Sequence, residues 1–318
     1  MNKFTKIGLS ALAGSLVAFS AQAGSLSASG AASMTFSNGD DKSLTHEGNQ
    51  WTMGDSVTMT GSGEMDNGMT ISVSYEIDND DVGGGNVYDS HSMTVSGDFG
   101  SVTFAGHGGS TAMSAVDDIT PNAYEESWDV VTGADQNNVN GLSGDNSFLY
   151  TSPDLGGATI KVGYLPSDDT TTDVSYMDFG IEASVGMVDG LTVGFAMAET
   201  EAVTGTVIDD QTMYVKYVTG PITAAYQVSE SDGAAGTSDV EFTGYGVSYA
   251  VTDDFTIAYN VTEHDQASSA ADQEATGISL SYTMGGITLA GAMNDVDNIG
   301  FSATSDTDGY EFGLSFAF

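Results

Sequence analysis

An all-β architecture, a 16-stranded antiparallel transmembrane β-barrel, follows from three features of the sequence. Apolar and polar residues alternate with period two along most of the chain, as strands with one greasy and one wet face require. Beyond the N-terminal segment, no stretch approaches the about 18 consecutive apolar residues of a membrane helix, so a crossing would have to be made by strands. Connections between strands alternate between tight turns and longer polar loops, seven of the first kind and eight of the second. A barrel inserted from one side leaves its short turns there and its long loops on the far side, whereas a soluble sandwich has no cause to alternate so regularly.

The strands can be taken in order. Leu26, Ala28, Gly30, Ala32, Met34 and Phe36 share one face of the first, with serines on the other. Met53–Gly63 forms the second, and the turn Glu64–Gly68 contains Asn67-Gly68, a pair that readily takes positive φ. Ile71, Val73, Tyr75 and Ile77 face together on the third; His91, Met93 and Val95 on the fourth; Val102 and Phe104 on the fifth. A stretch without clear period, His107–Asn146, precedes the short sixth strand with Phe148 and Tyr150. The seventh shows Ile160, Val162 and Tyr164. The eighth, Val174–Val185, slips phase between Tyr176 and Phe179, which predicts a bulge. Eight more strands of clean alternation follow, ending on Tyr310, Phe312, Leu314, Phe316 and Phe318.

Ahead of these strands stands an address. Lys3 and Lys6 open the chain, Ile7–Phe19 is apolar or small, and Ala21-Gln22-Ala23 fits a small-x-small cleavage pattern. This reads as a secretory signal peptide spanning residues 1–23, followed by a barrel domain over residues 24–318. The apolar run is too short to cross a ~30 Å hydrocarbon core as a helix.

Charge narrows the function. The 318 residues hold 45 Asp+Glu against 5 Lys+Arg, all of them lysine, for a net charge of -40. Such a surface repels phosphate and excludes nucleic acid as a partner. The absence of cysteine excludes a disulfide framework, a thiol nucleophile and a thiolate metal site. No nucleophile elbow, P-loop, zincin or dinucleotide motif occurs, so no enzyme is indicated. The histidines His46, His91, His107 and His264 are far apart and read as solvated or lumenal.

Lys161 lies between Ile160 and Val162, and Lys216 between Val215 and Tyr217, so both point away from the apolar face. Because a lysine at the bilayer midplane costs about 2–4 kcal/mol on the lipid side, both belong in the lumen. Tyr75, Tyr164, Tyr249, Phe255, Tyr282 and Tyr310 stand near strand ends, where aromatic girdles form.

With these features assembled, the chain resembles an alphaproteobacterial general diffusion porin. The resemblance is carried by the leader, the Ser25–Phe36 strand, the Glu64–Gly68 turn, Gly97–Phe104 before the long stretch, and the ending Tyr310–Phe318. It implies a homotrimer in the cell outer membrane, in contact with lipid and lipopolysaccharide, and a C-terminal Phe318 read by the outer-membrane assembly machinery. It also implies that the third long loop, residues 107–146, folds into the lumen and narrows it. The pore constriction would then hold Asp117, Asp118, Glu125, Glu126 and Asp129 on the loop, with Lys161 and Lys216 on the wall. The family's basic wall cluster has no arginine to build it here, so a negative eyelet passing small hydrophilic solutes and ions, cations preferentially, is expected.

Two rival readings fit parts of the sequence. Acidic groups such as Asp78, Asp80 and Asp81 could ligate Ca²⁺, and Gly83–Asp89 faintly resembles a calcium-binding repeat, which allows a secreted β-rich adhesin or solenoid. An outer-membrane barrel lipase is the other, without a Ser/His constellation to support it. No cofactor beyond possible Ca²⁺ is expected.

Overall fold

The computed structural model describes residues 25–39, 50–78, 88–131, 133–134, 139, 141–142, 144–166, 174–202, 205–233 and 239–318. Sixteen strands follow one another: β1 (Ser25–Gly39), β2 (Gln50–Glu64), β3 (Thr70–Asp78), β4 (Ser90–Gly97), β5 (Gly100–His107), β6 (Ser147–Thr151), β7 (Ala158–Leu165) and β8 (Val174–Ser184). Then come β9 (Leu191–Ala202), β10 (Val207–Thr219), β11 (Ile222–Asp232), β12 (Val240–Thr252), β13 (Phe255–Gln266), β14 (Gln273–Met284), β15 (Ile287–Asp297) and β16 (Thr307–Ala317). Each pairs with its chain neighbours, and β1 pairs antiparallel with β16 from Ala31↔Ala317 to Gly39↔Gly309, which closes the barrel. Closure removes the two sheet edges whose unpaired amides hydrocarbon could not solvate.

The face assignments follow from the pleat. Apolar residues of alternate positions point outward and stay uncovered: Leu289 is 51 % exposed and Ile278 57 %. In a water-soluble fold these side chains would be packed away; around a barrel they form the surface that meets lipid. Tyr75, Tyr164, Tyr249 and Tyr282 stand in this outward set near strand ends. Lys161 and Lys216 fall on the opposite, inner parity.

Three sequence expectations need correction. The bulge in β8 does not exist: β8 pairs with β7 and β9 without a register shift. Tyr176 is simply an inward aromatic, 2 % exposed, and the outward series restarts at Met177. Register shifts occur instead between His91 and Ser92, where β4 meets β5, and between Ala250 and Thr252, where β12 meets β13. Nor does every strand charge keep to the rule that the alternation suggests, by which nearly all charges fall in a loop, a turn or the polar face of a strand. Glu199, Asp209, Glu230, Glu263, Glu274 and Asp295 share the outward parity at the long-loop ends of β9–β15. Strands of 11–13 residues outreach the ~9–11 that a bilayer needs, so their upper ends emerge beyond hydrocarbon. Finally, His91 is not lumenal, and His264, though on the inner face, is buried there. His91 lies outward, stacked on Tyr75 at 6.4 Å, and His264 is 2 % exposed between Phe242 and Phe301.

The chain end fastens the seam. Phe318 N–H donates to the Gly30 carbonyl at 2.9 Å, and Gly30 N–H donates to the Phe318 carbonyl at 2.8 Å. A Cβ at Gly30 would sit 2.7 Å from the Phe318 ring, so glycine opens the seat in which that ring lies beside Phe316. Gly30→Val is expected to displace Phe318 and weaken closure by about 1–3 kcal/mol, the range for overpacking. Heat-modifiable gel migration across a urea series reads this as a lower midpoint, and Gly61→Val on the neighbouring strand serves as control.

Candidate pore constriction

Between β5 and β6 the chain turns into the barrel. At its root, His107 Nδ1 and Asp145 Oδ1 lie 2.5 Å apart, the one ion pair among the described residues, and Gly109 N–H donates to the Gly144 carbonyl. From there the loop runs along the inner wall of β7–β16, and its route is set by polar backbone groups that need partners in a confined space.

The first seat is on β8–β10. Met113 N–H donates to Asp178 Oδ2 at 2.8 Å, and the Tyr176 hydroxyl donates to the same oxygen at 2.9 Å. Met113 opens a short 3₁₀ turn, Met113–Ala115, and packs with Val116 and Val139 against Tyr176, Ala196, Ala198 and Tyr214. The chain then crosses β11, where Gln227 Nε2 donates to Asp117 Oδ1 at 2.7 Å and Ile119 N–H donates to Gln227 Oε1 at 3.0 Å. A second seat follows on β12–β16. Trp128 meets Phe242 edge to face at 5.6 Å, within a cluster that includes Val131, Ala275 and Val296. Ala123 N–H donates to Ser279 Oγ at 2.9 Å, Asn294 Nδ2 to the Glu126 carbonyl at 2.6 Å, and the Tyr124 hydroxyl to Glu311 Oε1 at 2.5 Å.

Inward glycines let the loop lie this close. A Cβ at Gly180 would come within 2.9 Å of the Ala112 carbonyl, and one at Gly277 within 2.7 Å of Ser127 Cα. These positions, with Asp178, Gln227 and Asn294, are what the sequence reading missed. The available signal was glycine inside an otherwise regular strand, which marks close approach of another backbone.

The acids divide between the loop's two sides. Asp117 is 5 % exposed and bound to Gln227, so it faces the wall and belongs to the anchoring, not to the water path. Asp118 and Asp129 are exposed, and Glu125 and Glu126 half-buried, along the loop's free side. Asp129 Oδ2 accepts from Glu126 N–H at 2.8 Å. Burial, then the charge of Asp129, pushes the Asp118 carboxyl up. Burial, followed by Asp129 and Glu311, raises Glu125 to about 7. Burial, followed by Asp118, Asp129, Asp117 and Glu125, raises Glu126 to about 9.

The lysines do not face this group. Lys161 borders a cavity of about 200 Å³ with Ala112, Val116 and Glu182, beneath the first seat. Lys216 lies on β10 with its Nζ 5.9 Å from the centre of the Tyr214 ring. Tyr214 donates to Glu182 across Gly194. Glu125, Glu126 and Asp129 sit at the second seat, several strands away.

Among the described residues the loop makes no hydrogen bond to β1–β4, and the hydroxyl side chains of that wall are exposed or half-exposed. Its inner parity reads Ser27, Ser29, Ser33 and Thr35 on β1; Ser56, Thr58 and Thr60 on β2; Ser72 and Ser74 on β3; Ser92 and Thr94 on β4; and Thr103 on β5. Carboxylates appear only at its margins: Glu64 at the short-turn end, Glu76 and Asp78 at the long-loop end. Lys42, Asp80, Asp81 and Asp135 lie outside the described residues. Among those described, no group of three or more His, Asp or Glu is arranged to hold a metal ion.

A closed barrel with a lipid-facing exterior, a wet bore and a loop seated inside it defines a channel-forming outer-membrane protein, not an enzyme. The chain belongs to the Gram-negative porin family, whose family model matches residues 8–275. The fold is shared with a triple mutant of the Rhodopseudomonas blastica porin, at 18% identity and TM-score 0.70, over 92% of this chain and 100% of that one. It is shared too with an anion-selective porin from Comamonas acidovorans, at 17% identity and TM-score 0.69, over 92% and 99%. An outer-membrane protein of Vibrio cholerae with one loop deleted aligns at 16% identity and TM-score 0.68, over 93% and 100%. No curated protein sequence matches the chain. Family and fold replace the secreted adhesin or solenoid and the lipase.

Two predictions follow from the seat and its charges. Asp178→Ala or Gly277→Val should loosen the loop and give larger, noisier single-channel currents than the parent in a planar bilayer, with barrel migration on gels unchanged. Raising the pH from about 6 to about 10 ionises Glu125 first and then Glu126, because their carboxyls titrate near 7 and 9. Cation-over-anion permeability should therefore climb across that window, and Glu125→Gln with Glu126→Gln should flatten the climb.

Proposed function

We propose that this porin is a passive diffusion channel for small hydrophilic solutes and ions whose narrowest passage lies between the acidic side of the inward loop and the β1–β5 wall, and that it prefers cations. One observation carries the preference. Asp118, Glu125, Glu126 and Asp129 share the loop's free side, while Lys161 and Lys216 stand under the first seat and pair with no carboxylate among the described residues. Fixed negative charge in a narrow aqueous path concentrates cations and repels anions. The anion selectivity named for the Comamonas porin belongs to that protein, and the shared fold is compatible with either sign.

The reading extends to biogenesis and assembly. Residues 1–23 act as a cleaved export signal, and Phe318 at the open end of the last strand serves the assembly machinery. Three copies associate in the membrane through the acid-poor outward faces of β1–β7, where Asp55 is the one outward carboxylate among the described strand residues; the acidic half, β9–β15, then meets lipid and lipopolysaccharide.

Reversal potentials in a KCl gradient test the sign of selectivity. A potential of cation sign is expected, growing as the pH passes about 9 and Glu126 ionises, reduced about twofold at pH 10 by Glu126→Gln combined with Asp129→Asn, and shrinking near 1 M salt where the Debye length is ~3 Å. A potential of anion sign in the parent protein would falsify the preference.

A further inference from the structure

The β1–β5 wall differs from the rest of the bore in having only short hydroxyls. Between its margins the inner faces of β1–β5 carry serine, threonine, alanine and glycine alone, whereas the wall under the loop carries Tyr176, Asp178, Tyr214, Gln227, His264 and Asn294. Neighbouring strands align these hydroxyls in pairs. Ser27 Oγ and Thr60 Oγ1 lie 2.6 Å apart, Thr94 Oγ1 and Thr103 Oγ1 2.8 Å apart, and Thr35 bonds Thr52. A hydroxyl has one donor and two acceptor sites, so a mutual pair spends one bond and leaves capacity turned to the lumen.

We propose that this hydroxyl wall is a second determinant of specificity, and that it makes the channel favour hydroxylated solutes (polyols, sugars and amino alcohols) over solutes of equal charge that lack hydroxyls. The proposal rests on the channel reading above and deepens it. A solute entering a narrow passage sheds part of its hydration shell. Wall hydroxyls restore the lost hydrogen bonds for a polyol and restore nothing for an alkyl surface. Each exchange is nearly neutral in free energy, so the solute is never trapped, and conduction needs sites that are weak and many. The absence of charge on this wall makes the effect independent of the loop carboxylates.

Two ammonium ions separate this from sieving. Tris(hydroxymethyl)methylammonium and tert-butylammonium share one branched skeleton and one charge, but the hydroxylated ion is the larger, so a pure sieve favours tert-butylammonium. Their chlorides are placed on opposite sides of a bilayer holding the purified, reconstituted protein at neutral pH, and the bi-ionic reversal potential gives the permeability ratio. The expected ratio favours the hydroxylated ion about threefold, the scale of one weak net hydrogen bond. In the variant Thr35→Val, Thr58→Val, Ser74→Ala and Thr94→Val, the ratio should fall below one while the KCl reversal potential keeps its sign. Heat-modifiable migration confirms that this variant is folded.

A parent ratio below one overturns the proposal, as does a ratio that the wall variant leaves unchanged. An anion-sign KCl potential with the hydroxyl preference intact removes the cation reading and supports this one. Absence of any conductance overturns both.

Discussion

Everything in this molecule depends on one constraint: a backbone amide inside hydrocarbon must find its partner within the protein. A flat sheet leaves two edges unsatisfied, and the only way for this chain to remove them is to pair its first strand with its last. The nine aligned residues of β1 and β16, together with the reciprocal bonds of Gly30 and Phe318, perform that step. Once the ring is closed, the pleat assigns every strand residue to lipid or to the bore. Leu289 is bare outside and Lys161 wet inside for the same reason, parity in a ladder that admits few slips.

The bore imposes the same rule on the inward loop, under different terms. Water reaches one side of the loop, and the wall must satisfy the other. Asp178, Gln227, Ser279 and Asn294 receive or supply hydrogen bonds at intervals along its path, and two apolar clusters hold it between them. The seat therefore accounts for the charge distribution. Asp117 can turn to the wall because Gln227 meets it there; the other acids have no such partner and crowd on the watered side. Partial burial, with the crowding of like charges added, lifts Glu125 to about 7 and Glu126 to about 9.

The legibility of these features in the sequence tracks the same division. Where one face meets lipid and the other meets water, alternation is clean, which is why sixteen strands and the inward lysines could be read from β1 to β16. Where the inner face meets the loop instead, both faces turn apolar and period two loses its meaning. Tyr176 beside Met177 is such a place, and the apparent phase slip there was the loop's imprint. The acids were legible as residues of one loop, but which of them face water depends on Gln227, 110 positions away from Asp117, and spacing along the chain holds no information about that. Glu199 and Asp295 misled for a different reason: the strands run on past the bilayer, so outward parity stops implying lipid.

On the function proposed above, selectivity rests on the chemistry left on the two sides of the passage. The barrel shared with porins at 15–19% identity fixes a bore, not the sign of the field inside it. A cross-lumen field needs opposite charges on facing surfaces. Here the loop carries carboxylates and the β1–β5 wall hydroxyls, so on the proposed reading a permeating ion meets an attraction toward one side with no counterpart on the other. A dipolar solute is drawn to that side by its positive end without being held across the passage. Its remaining groups are then left against serine and threonine, which exchange hydrogen bonds with whatever they touch. Charge and hydrogen bonding are thus separated, on the proposed reading, onto different walls, which is why substitutions on one are expected to leave the other's contribution in place.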